Sequence, residues 1–403
     1  MKKPALSKGL LLSAITLMLS RPALAVTDEE FNELQQKFDI LAEQVEANSG
    51  FQQNVATSDT NTERHHGHGT RGTTTVGGYG ELHYNNLSSG IAGKDDKKEL
   101  DFHRFVLFFG HEFSDKARFF SELEVEHGTI ADTDDGSSPG SVAIEQAYVQ
   151  LDLSDSTSLN AGIFLVPVGF INEVHEPPRF YGVERPVVTK YILPTTWREG
   201  GAGLVGNSSS GLSYDIYLHS GLSGGTDIRG GRQKVAEAKA NNLATTGRIK
   251  YTGINGLELA ATLQYQDDMT QDTSDAVGSA TLAQAQVRWQ LTDLTLTALY
   301  GQWNIDVAAN GTALDKARDN QAGGYLEASY KINPRWGVFA RHSQWDNGPR
   351  DTTQIGQDTV KNQTDFGFNY WPHEDVVLKA DYQVQNDVAG DYSGFNLGVG
   401  YQF

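Results

Sequence analysis

From about residue 73 to the C-terminus, apolar and polar side chains alternate with a period of two. In the last segment, the apolar series is Phe395, Leu397, Val399, Tyr401 and Phe403, and the residues between them are Asn396, Gly398, Gly400 and Gln402. The same alternation recurs at residues 257–266 and 376–385. Because successive side chains of a β-strand point to opposite faces, each such segment predicts a strand with one apolar and one polar face.

About sixteen such segments can be delimited, each long enough for a tilted strand to cross a bilayer. They lie near 73–86, 99–113, 116–127, 142–153, 157–165, 198–206, 212–221, 243–252, 257–266, 280–290, 294–303, 322–331, 335–345, 362–371, 376–385 and 394–403. Short turns such as 114–116, 154–157 and 292–293 alternate with long loops. Outer-membrane barrels have short periplasmic turns and long external loops, whereas a sandwich has no reason to shorten every second connection. The pattern predicts an all-β, transmembrane, antiparallel up-and-down barrel over residues 73–403.

The alternation also predicts how this barrel meets its surroundings. Backbone N–H and C=O groups find no water to bond in lipid, so no sheet edge can stay open. The apolar face must therefore point outward and the polar face inward, and a barrel of this size leaves room for water in its lumen. The aromatic C-terminal residue, Phe403, ends an alternating strand, as is typical of such barrels.

The N-terminus has the three parts of a secretory signal peptide. Basic MKKPALSK is followed by apolar GLLLSAITLMLS and by Ala23-Leu24-Ala25, which places small residues at the cleavage site. The apolar run is too short for a membrane-spanning helix. We predict removal of residues 1–25, which deletes Lys2, Lys3, Lys8 and Arg21 and takes the formal net charge from −19 to −23.

Residues 26–48 predict a periplasmic coiled-coil helix. Their apolar residues are spaced three and four apart, which is the a/d seam of a heptad. The seam consists of Phe31, Leu34, Phe38, Leu41 and Val45. A helix of this length is marginal alone, so we expect the seam to support oligomerisation. A helix docked on its own domain is the alternative.

Residues 49–72 form a flexible linker rich in Asn, Thr, Ser and Gly. Its RHHGHG run makes His65, His66 and His68 candidates for loose binding of a transition metal. A solvated linker without a metal is the interpretation that the composition favours.

Composition excludes several kinds of chemistry. The chain has no cysteine, so disulfides, thiolate metal sites and cysteine nucleophiles are excluded. Its histidines are scattered, and two prolines follow His175-Glu176, which rules out the helical zinc geometry of metalloproteases. We therefore expect no enzyme and no cofactor. The acidic balance argues against nucleic acid as a partner, although acidic external loops leave an adhesin as an alternative.

Several segments of the predicted barrel resemble the phosphate-selective porin O and P family. They are DFHRFVLFFGHEF (101–113), KARFFSELEVEH (116–127), EQAYVQLDL (145–153), AGIFLVPVGF (161–170), NEVHEPPRFYGVERP (172–186) and TTWREGGAGLVG (195–206). The resemblance extends over residues 76–403 and implies a channel of about sixteen strands for small solutes. It also implies a homotrimer surrounded by outer-membrane lipid and lipopolysaccharide. Some members of the family prefer anions through arginines and lysines in the lumen.

The resemblance assigns a role to the longest connection, residues 166–197. In porins of this size the third external loop folds into the barrel and narrows it. Four prolines and two glycines in the segment 166–186 are typical of a stiff, shaped loop. The predicted constriction residues are Asn172, Glu173, His175, Glu176, Arg179, Tyr181, Glu184, Arg185 and Lys190. Rings of such side chains set the selectivity of a pore.

The alternation also places charged residues on the lumen wall. This predicted wall includes Arg104, Arg118, Glu122, Glu124, Arg198, Arg248, Lys250, Arg288, Arg341 and Lys379. Of these, Arg104, Arg118 and Arg198 match arginines of the family's strands. An anion-selective pore would need an uninterrupted basic ladder, and this wall mixes both signs. We predict a porin for passive diffusion of small hydrophilic solutes or ions, with phosphate among the candidates; a sugar-specific channel is the alternative, and a barrel adhesin or enzyme is a weaker one.

Overall fold

The computed structural model describes residues 72–91, 93–132, 139–272, 276–386 and 391–403. The predicted signal peptide 1–25, the coiled-coil helix 26–48 and the histidines His65, His66 and His68 lie outside these residues. The linker 49–72 also lies outside them, except for its last residue.

Antiparallel strands form one closed barrel, in which each strand pairs with its neighbours in sequence and the first strand pairs with the last. The strands are β1 (Thr74–Ser89), β2 (Lys97–Ser114), β3 (Ala117–Glu126), β4 (Ser141–Ser154), β5 (Thr157–Leu165), β6 (Arg198–Asn207), β7 (Leu212–His219), β8 (Ala244–Ile254), β9 (Leu257–Gln266), β10 (Val277–Leu291), β11 (Leu294–Val307), β12 (Asn320–Asn333), β13 (Trp336–Asp346), β14 (Lys361–His373), β15 (Val376–Asn386) and β16 (Tyr392–Gln402). The predicted sixteen-stranded, up-and-down β-barrel is confirmed.

The helical elements of the described chain are short. Helix α1 (Val187–Tyr191) and a 3-10 turn (Pro177–Arg179) lie between β5 and β6. Helix α2 (Ala313–Ala317) lies between β11 and β12, and a second 3-10 turn (Thr352–Gln354) follows β13. Among the described residues, no helix has the length and apolarity needed to cross a membrane.

The two faces of the barrel wall differ in chemistry. Large apolar side chains such as Ile249, Leu263 and Leu326 are 61%, 62% and 54% exposed, while the polar neighbours Arg248 and Gln264 are buried. Because the sheet is closed, the face with buried polar side chains is the interior and the apolar face is the outside. Exposed apolar surface on so many strands requires lipid rather than water as its surroundings.

The short connection between β8 and β9 is a tight turn that needs a special backbone conformation. Gly256, between β8 and β9, has φ of +75°, in the left-handed region that favours glycine. A Cβ atom at Gly256 would lie 2.4 Å from the carbonyl oxygen of Gln290. The turn therefore depends on a residue without a side chain.

One part of the interior is apolar, and this differs from the polar lumen that the alternation predicts. The apolar cluster combines wall residues of β10–β13 with residues of the 166–197 connection. It includes Leu282, Leu299, Trp303, Tyr325 and Trp345 from the wall, and Val168, Phe170, Val188, Ile192, Leu193 and Trp197 from the connection. The difference has a simple cause, because a connection that packs against the wall is stabilised by burying apolar surface there.

Candidate functional site

Loop 166–197 joins β5 to β6, and it contacts interior side chains on many sides of the barrel. Its carbonyl oxygens accept hydrogen bonds from Thr262 of β9, Trp303 of β11, Arg341 of β13, Asn369 of β14 and Lys379 of β15. Its own side chains also reach β1, where Glu184 lies 3.2 Å from His83. Strands far apart around the barrel are thus linked through one loop.

The loop is closed at its base by the predicted constriction residue Asn172. Its Nδ2 donates to the carbonyl oxygens of Val166 at 2.7 Å and Trp197 at 2.9 Å, and the Trp197 N–H donates to Asn172 Oδ1 at 2.7 Å. Asn172 is completely buried. Its amide therefore ties the two ends of the loop together and does not face open space.

A ladder of charges crosses β1, β2 and β3 on the interior face. Arg104 Nε lies 2.7 Å from Glu81, directly opposite in the strand register, and Arg104 Nη1 lies 3.6 Å from Glu124. His83 lies 3.1 Å from Glu81 and joins the ladder to Glu184 of the loop. Partial burial opposes the charge of Glu184, but His83 outweighs it and holds the pKa of this carboxyl below its usual range.

A second ladder lies on β12, β13 and β14. Arg341 lies 3.2 Å from Glu327 and 3.1 Å from Asp365, the residues that face it across the two strand pairs. Its guanidinium also donates to the carbonyl oxygens of Tyr181 and Glu184. Arg341 therefore holds both the wall and the loop.

A third set of charges lies on β7 and β8. Arg248 Nε lies 2.7 Å from Asp215, and the Arg248 guanidinium also pairs with Glu173 of the loop. Lys250 is half-buried on the same face of β8. Arg288 of β10 stacks over Phe170 with 4.2 Å between its Cζ and the ring centroid.

The remaining predicted residues have varied surroundings. Arg118 pairs with Asp152 rather than with the glutamates of its own strand. Lys379 donates to the Gly182 carbonyl oxygen at 2.8 Å, and Arg185 donates to Thr196 Oγ1 at 3.1 Å. Arg198, Glu176 and Arg179 complete the set: Arg198 lies 3.6 Å from Glu145, Glu176 is half-buried and Arg179 is exposed.

A cavity of about 640 Å³ lies between loop 166–197, strands β1–β4 and the connection 220–243. Its acidic residues come mainly from β1–β4 and are Glu81, Glu99, Asp101, Glu124, Glu126, Glu145 and Glu184. Its basic residues come mainly from the loop and the connection, and they are Lys97, Arg104, Arg185, Lys190, Arg198, Arg229, Arg232 and Lys234. The two signs are thus supplied largely by different segments of the chain.

The contribution of connection 220–243 was missed by sequence reasoning. Arg229 donates to the carbonyl oxygens of Lys190 and Thr195, and Arg232 donates to those of Pro194 and Thr196. Burial and the neighbouring Arg229 lower the pKa of Arg232 to about 10. The only signal in the sequence is the basic run RGGRQK (229–234) inside a long connection.

Three groups among the described residues place metal-ligating atoms close together. They are Asp101, His103 and His127; Glu122, Glu145 and His175; and His373, Glu374 and Asp375. The first lines the cavity, the second is buried, and the third is largely exposed at the turn between β14 and β15. Glu145 and the histidines of the first group were not among the predicted site residues.

Comparison with known proteins identifies the family. Residues 75–387 match the model of the phosphate-selective porin O and P family. The chain belongs to this porin family. An uncharacterized protein of Aquifex aeolicus (strain VF5) is 31% identical over 336 residues, which cover 76% of this porin and 74% of that relative. The resemblance found in the sequence is therefore confirmed.

Solved structures show the same fold at low sequence identity. The anion-selective porin from Comamonas acidovorans has a TM-score of 0.58 and 14% identity. The match covers 83% of this porin and 100% of that chain. The outer membrane channel DcaP of Acinetobacter baumannii has a TM-score of 0.58 and 13% identity, with 82% and 97% covered. The predicted location in the bacterial outer membrane is confirmed by the family.

Proposed function

We propose that this porin is a weakly selective channel for passive diffusion of small hydrophilic solutes and ions, narrowed by loop 166–197. The observation that carries the proposal is the cavity between the loop and strands β1–β4, which is lined by side chains of both signs. Solutes pass through this cavity, because the β10–β13 side of the interior is filled by the apolar cluster.

The contacts of loop 166–197 support its role as the constriction. It is hydrogen-bonded to interior side chains of β9, β11, β13, β14 and β15, and it is paired with β1 and β8. A segment held from so many directions crosses the lumen and does not swing freely. Paired prolines, Pro177 and Pro178, further restrict its backbone.

The charges of the cavity support weak selectivity rather than a dedicated phosphate path. Basic and acidic side chains are present in nearly equal number, so neither sign of ion is excluded. Anions such as phosphate pass near Arg185, Lys190 and Arg229, and cations pass near the carboxylates of β1–β4. The likeness to an anion-selective porin is one of fold and adds nothing on this point.

A sugar-specific channel is supported less well. Such a channel needs aromatic faces along its path. The sequence offers six aromatic residues for such a path, of which Tyr79, Phe164 and Trp303 are buried, and Phe120, Tyr148 and Tyr181 are half-buried. Trp303 is in the apolar cluster and donates its Nε1–H to the Ile192 carbonyl oxygen at 2.8 Å. These rings stabilise the interior and leave little surface for stacking against a solute.

We further propose that the porin is a homotrimer in lipid and lipopolysaccharide, without enzymatic activity and without a nucleic-acid partner. The heptad seam of residues 31–45 and the family resemblance support the trimer. Native mass measurement of the full chain and of a variant lacking residues 26–48 tests the trimer and the role of the heptad seam in forming it. A monomer in both cases overturns the trimer, and a trimer in both overturns the role of the seam.

Planar-bilayer recording of the purified porin tests the channel. In a salt gradient, we expect a stable conductance with a small reversal potential. Lys190→Glu, at an exposed cavity residue, removes a positive side chain and adds a negative one, so the reversal potential shifts toward cation preference. Lys116→Glu in the turn between β2 and β3 is the matched control, because it makes the same charge change away from the cavity. Absence of conductance, or equal shifts in both variants, contradicts the proposal.

A further inference from the structure

Three side chains from separate elements meet inside the barrel beside the cavity. They are Glu122 of β3, Glu145 of β4 and His175 of loop 166–197, and they are 2%, 1% and 3% exposed. Ionisable groups buried to this degree are paired or bind an ion, because leaving water without compensation is costly. Their ligand atoms all lie within 4.8 Å of one another.

The distances suit a shared ion better than direct hydrogen bonds. His175 Nε2 lies 3.4 Å from Glu145 Oε2 and 3.6 Å from Glu122 Oε1. A direct hydrogen bond between imidazolium and carboxylate is about 2.7–2.9 Å long. Two ligand atoms that each lie about 2.1 Å from one tetrahedral zinc ion are about 3.4 Å apart. The observed separations agree with the second arrangement.

The orientation of His175 is also that of a metal ligand. Its Nδ1 lies 3.1 Å from the Asn172 carbonyl oxygen and donates to it, which directs the other nitrogen, Nε2, at the two carboxylates. Metal-binding histidines commonly donate their second N–H to a backbone carbonyl in this way. His175 Nε2 and both carboxylate oxygens of Glu145 are buried without a hydrogen-bond partner.

A β-bulge brings Glu145 to this point. In the β3–β4 pair, Glu122 faces Gln146 and Leu123 faces Ile144, so Glu145 is an extra residue in the register. Bulges redirect a side chain and interrupt the alternation of a strand. Gln146 donates to Glu122 Oε2 at 2.7 Å, which leaves Glu122 Oε1 facing His175. The wall is thus shaped locally to point two carboxylates at the loop.

The charges around the cluster leave room for a cation. Glu81, Glu122, Glu124 and Glu145 lie together, and the guanidinium groups near them are those of Arg104 and Arg198. His83 is shared between Glu81 and Glu184. A divalent cation bound between Glu122, Glu145 and His175 would offset the remaining carboxylate charge.

We propose that Glu122, Glu145 and His175 bind one divalent transition-metal ion of the zinc type, which clamps loop 166–197 to the barrel wall. Mixed nitrogen and carboxylate ligands select such ions over calcium or magnesium, which prefer oxygen ligands alone. Glu145 also borders the cavity, so the ion has an entry path and a water molecule from the lumen completes its coordination. This inference is independent of the porin's selectivity.

Titration calorimetry with Zn²⁺ on the full, detergent-solubilised porin, stripped with a chelator, tests the site. We expect His175→Gln and Glu145→Gln each to weaken or abolish one zinc-binding event, by at least about tenfold in affinity. His219→Gln is the matched control, since His219 is buried and bonded to Thr246 Oγ1 at 2.8 Å but belongs to none of the metal-ligating groups. Unchanged zinc affinity in both site variants overturns the proposal and leaves an imidazolium ion pair in its place.

A second measurement keeps the test valid if a variant folds poorly. Crystals of the unmodified porin soaked in Zn²⁺ are expected to show anomalous density at the zinc edge about 2 Å from His175 Nε2. Density only at Asp101, His103 and His127, or only at the exposed group near His373, overturns the assignment. Loss of conductance in bilayers would contradict the proposed channel without affecting this result, and absence of zinc would leave the channel untouched.

Discussion

Two sides of the interior wall use the same strand geometry for different purposes. On β10–β13, inward positions carry Leu282, Leu299, Trp303 and Trp345, which pack against the loop 166–197. On β1–β4, inward positions carry Glu81, Arg104 and Glu124, which form ion pairs and border the cavity, and Glu122, which lies 3.6 Å from His175 of the loop. The apolar side excludes water by packing, whereas the charged side is lined by groups that keep water near them.

The difference shows how the interior packs loop 166–197 on one side and keeps a cavity on the other. Burial of apolar surface is non-directional and fills space, so it suits the side where the loop is to be held. Ion pairs and hydrogen bonds have defined geometry and leave gaps beside them. The loop is thus packed on the apolar side and borders the cavity on the charged side.

The largest effect should come from the apolar side. Trp303→Ala removes a completely buried ring and its hydrogen bond to Ile192, so we expect the free energy of unfolding to fall by about 3–5 kcal/mol. The loop should also loosen and make single-channel current noisier. Denaturant unfolding from lipid vesicles and bilayer recording measure the two effects.

The control for this change is Trp336→Ala. Trp336 lies at the start of β13 and is 40% exposed, so its removal creates no interior cavity. If Trp336→Ala lost as much stability as Trp303→Ala, or if Trp303→Ala left the single-channel current unchanged, the apolar cluster would not be what holds the loop.

An intermediate effect is expected where the charged network holds the loop. Arg341→Met leaves Glu327 and Asp365 without their partner and removes two bonds to loop carbonyl oxygens. We expect a loss of about 1–3 kcal/mol in the free energy of unfolding. In comparison, Arg118→Met breaks a partly exposed pair outside the loop and should cost about 0–1 kcal/mol. Equal losses of unfolding free energy in the two variants would contradict the role of Arg341 in holding the loop.

The smallest effect should be the pH dependence of stability that comes from Glu184. The pKa of Glu184 is held below its usual range by His83, so ionised Glu184 stabilises the fold above its unfolded pKa of about 4. This stabilisation is lost as the pH falls through the lower, folded pKa. Glu184→Gln should therefore lower the unfolding temperature at neutral pH, and the difference from the unmodified porin should shrink in strong acid. The control is Glu374→Gln, in an exposed turn, which should show no such convergence. For Glu184→Gln, a difference in unfolding temperature that stays constant with pH would contradict the expectation.

The strands were predictable because lipid imposes a strict alternation. The predicted segments 157–165 and 257–266 coincide with β5 and β9. Most other strands are longer, as in β11, which continues to Val307 beyond the predicted 303, whereas β3 and β7 are shorter than predicted. Such ends include positions where the alternation weakens, so the pattern did not mark them.

The candidate site was predictable only in part. Alternation predicts Arg104, Glu122 and Glu124 on one face of the wall, but it carries no information about which residues they pair with. Glu145 was missed because its bulge breaks the alternation, and the apolar wall was missed because its loop partner is distant in the chain.

The sequence by itself determined a closed barrel, its outer apolar face and its family, because a spanning strand must repeat every two residues in lipid. Only the tertiary structure decided where loop 166–197 packs, which charges meet and where the cavity remains. Loop 166–197 has no such periodicity, and its partners come from strands far apart in sequence. Examples are Glu122 of β3, Arg248 of β8 and Lys379 of β15. Closure of the barrel alone brings those strands within reach of one segment.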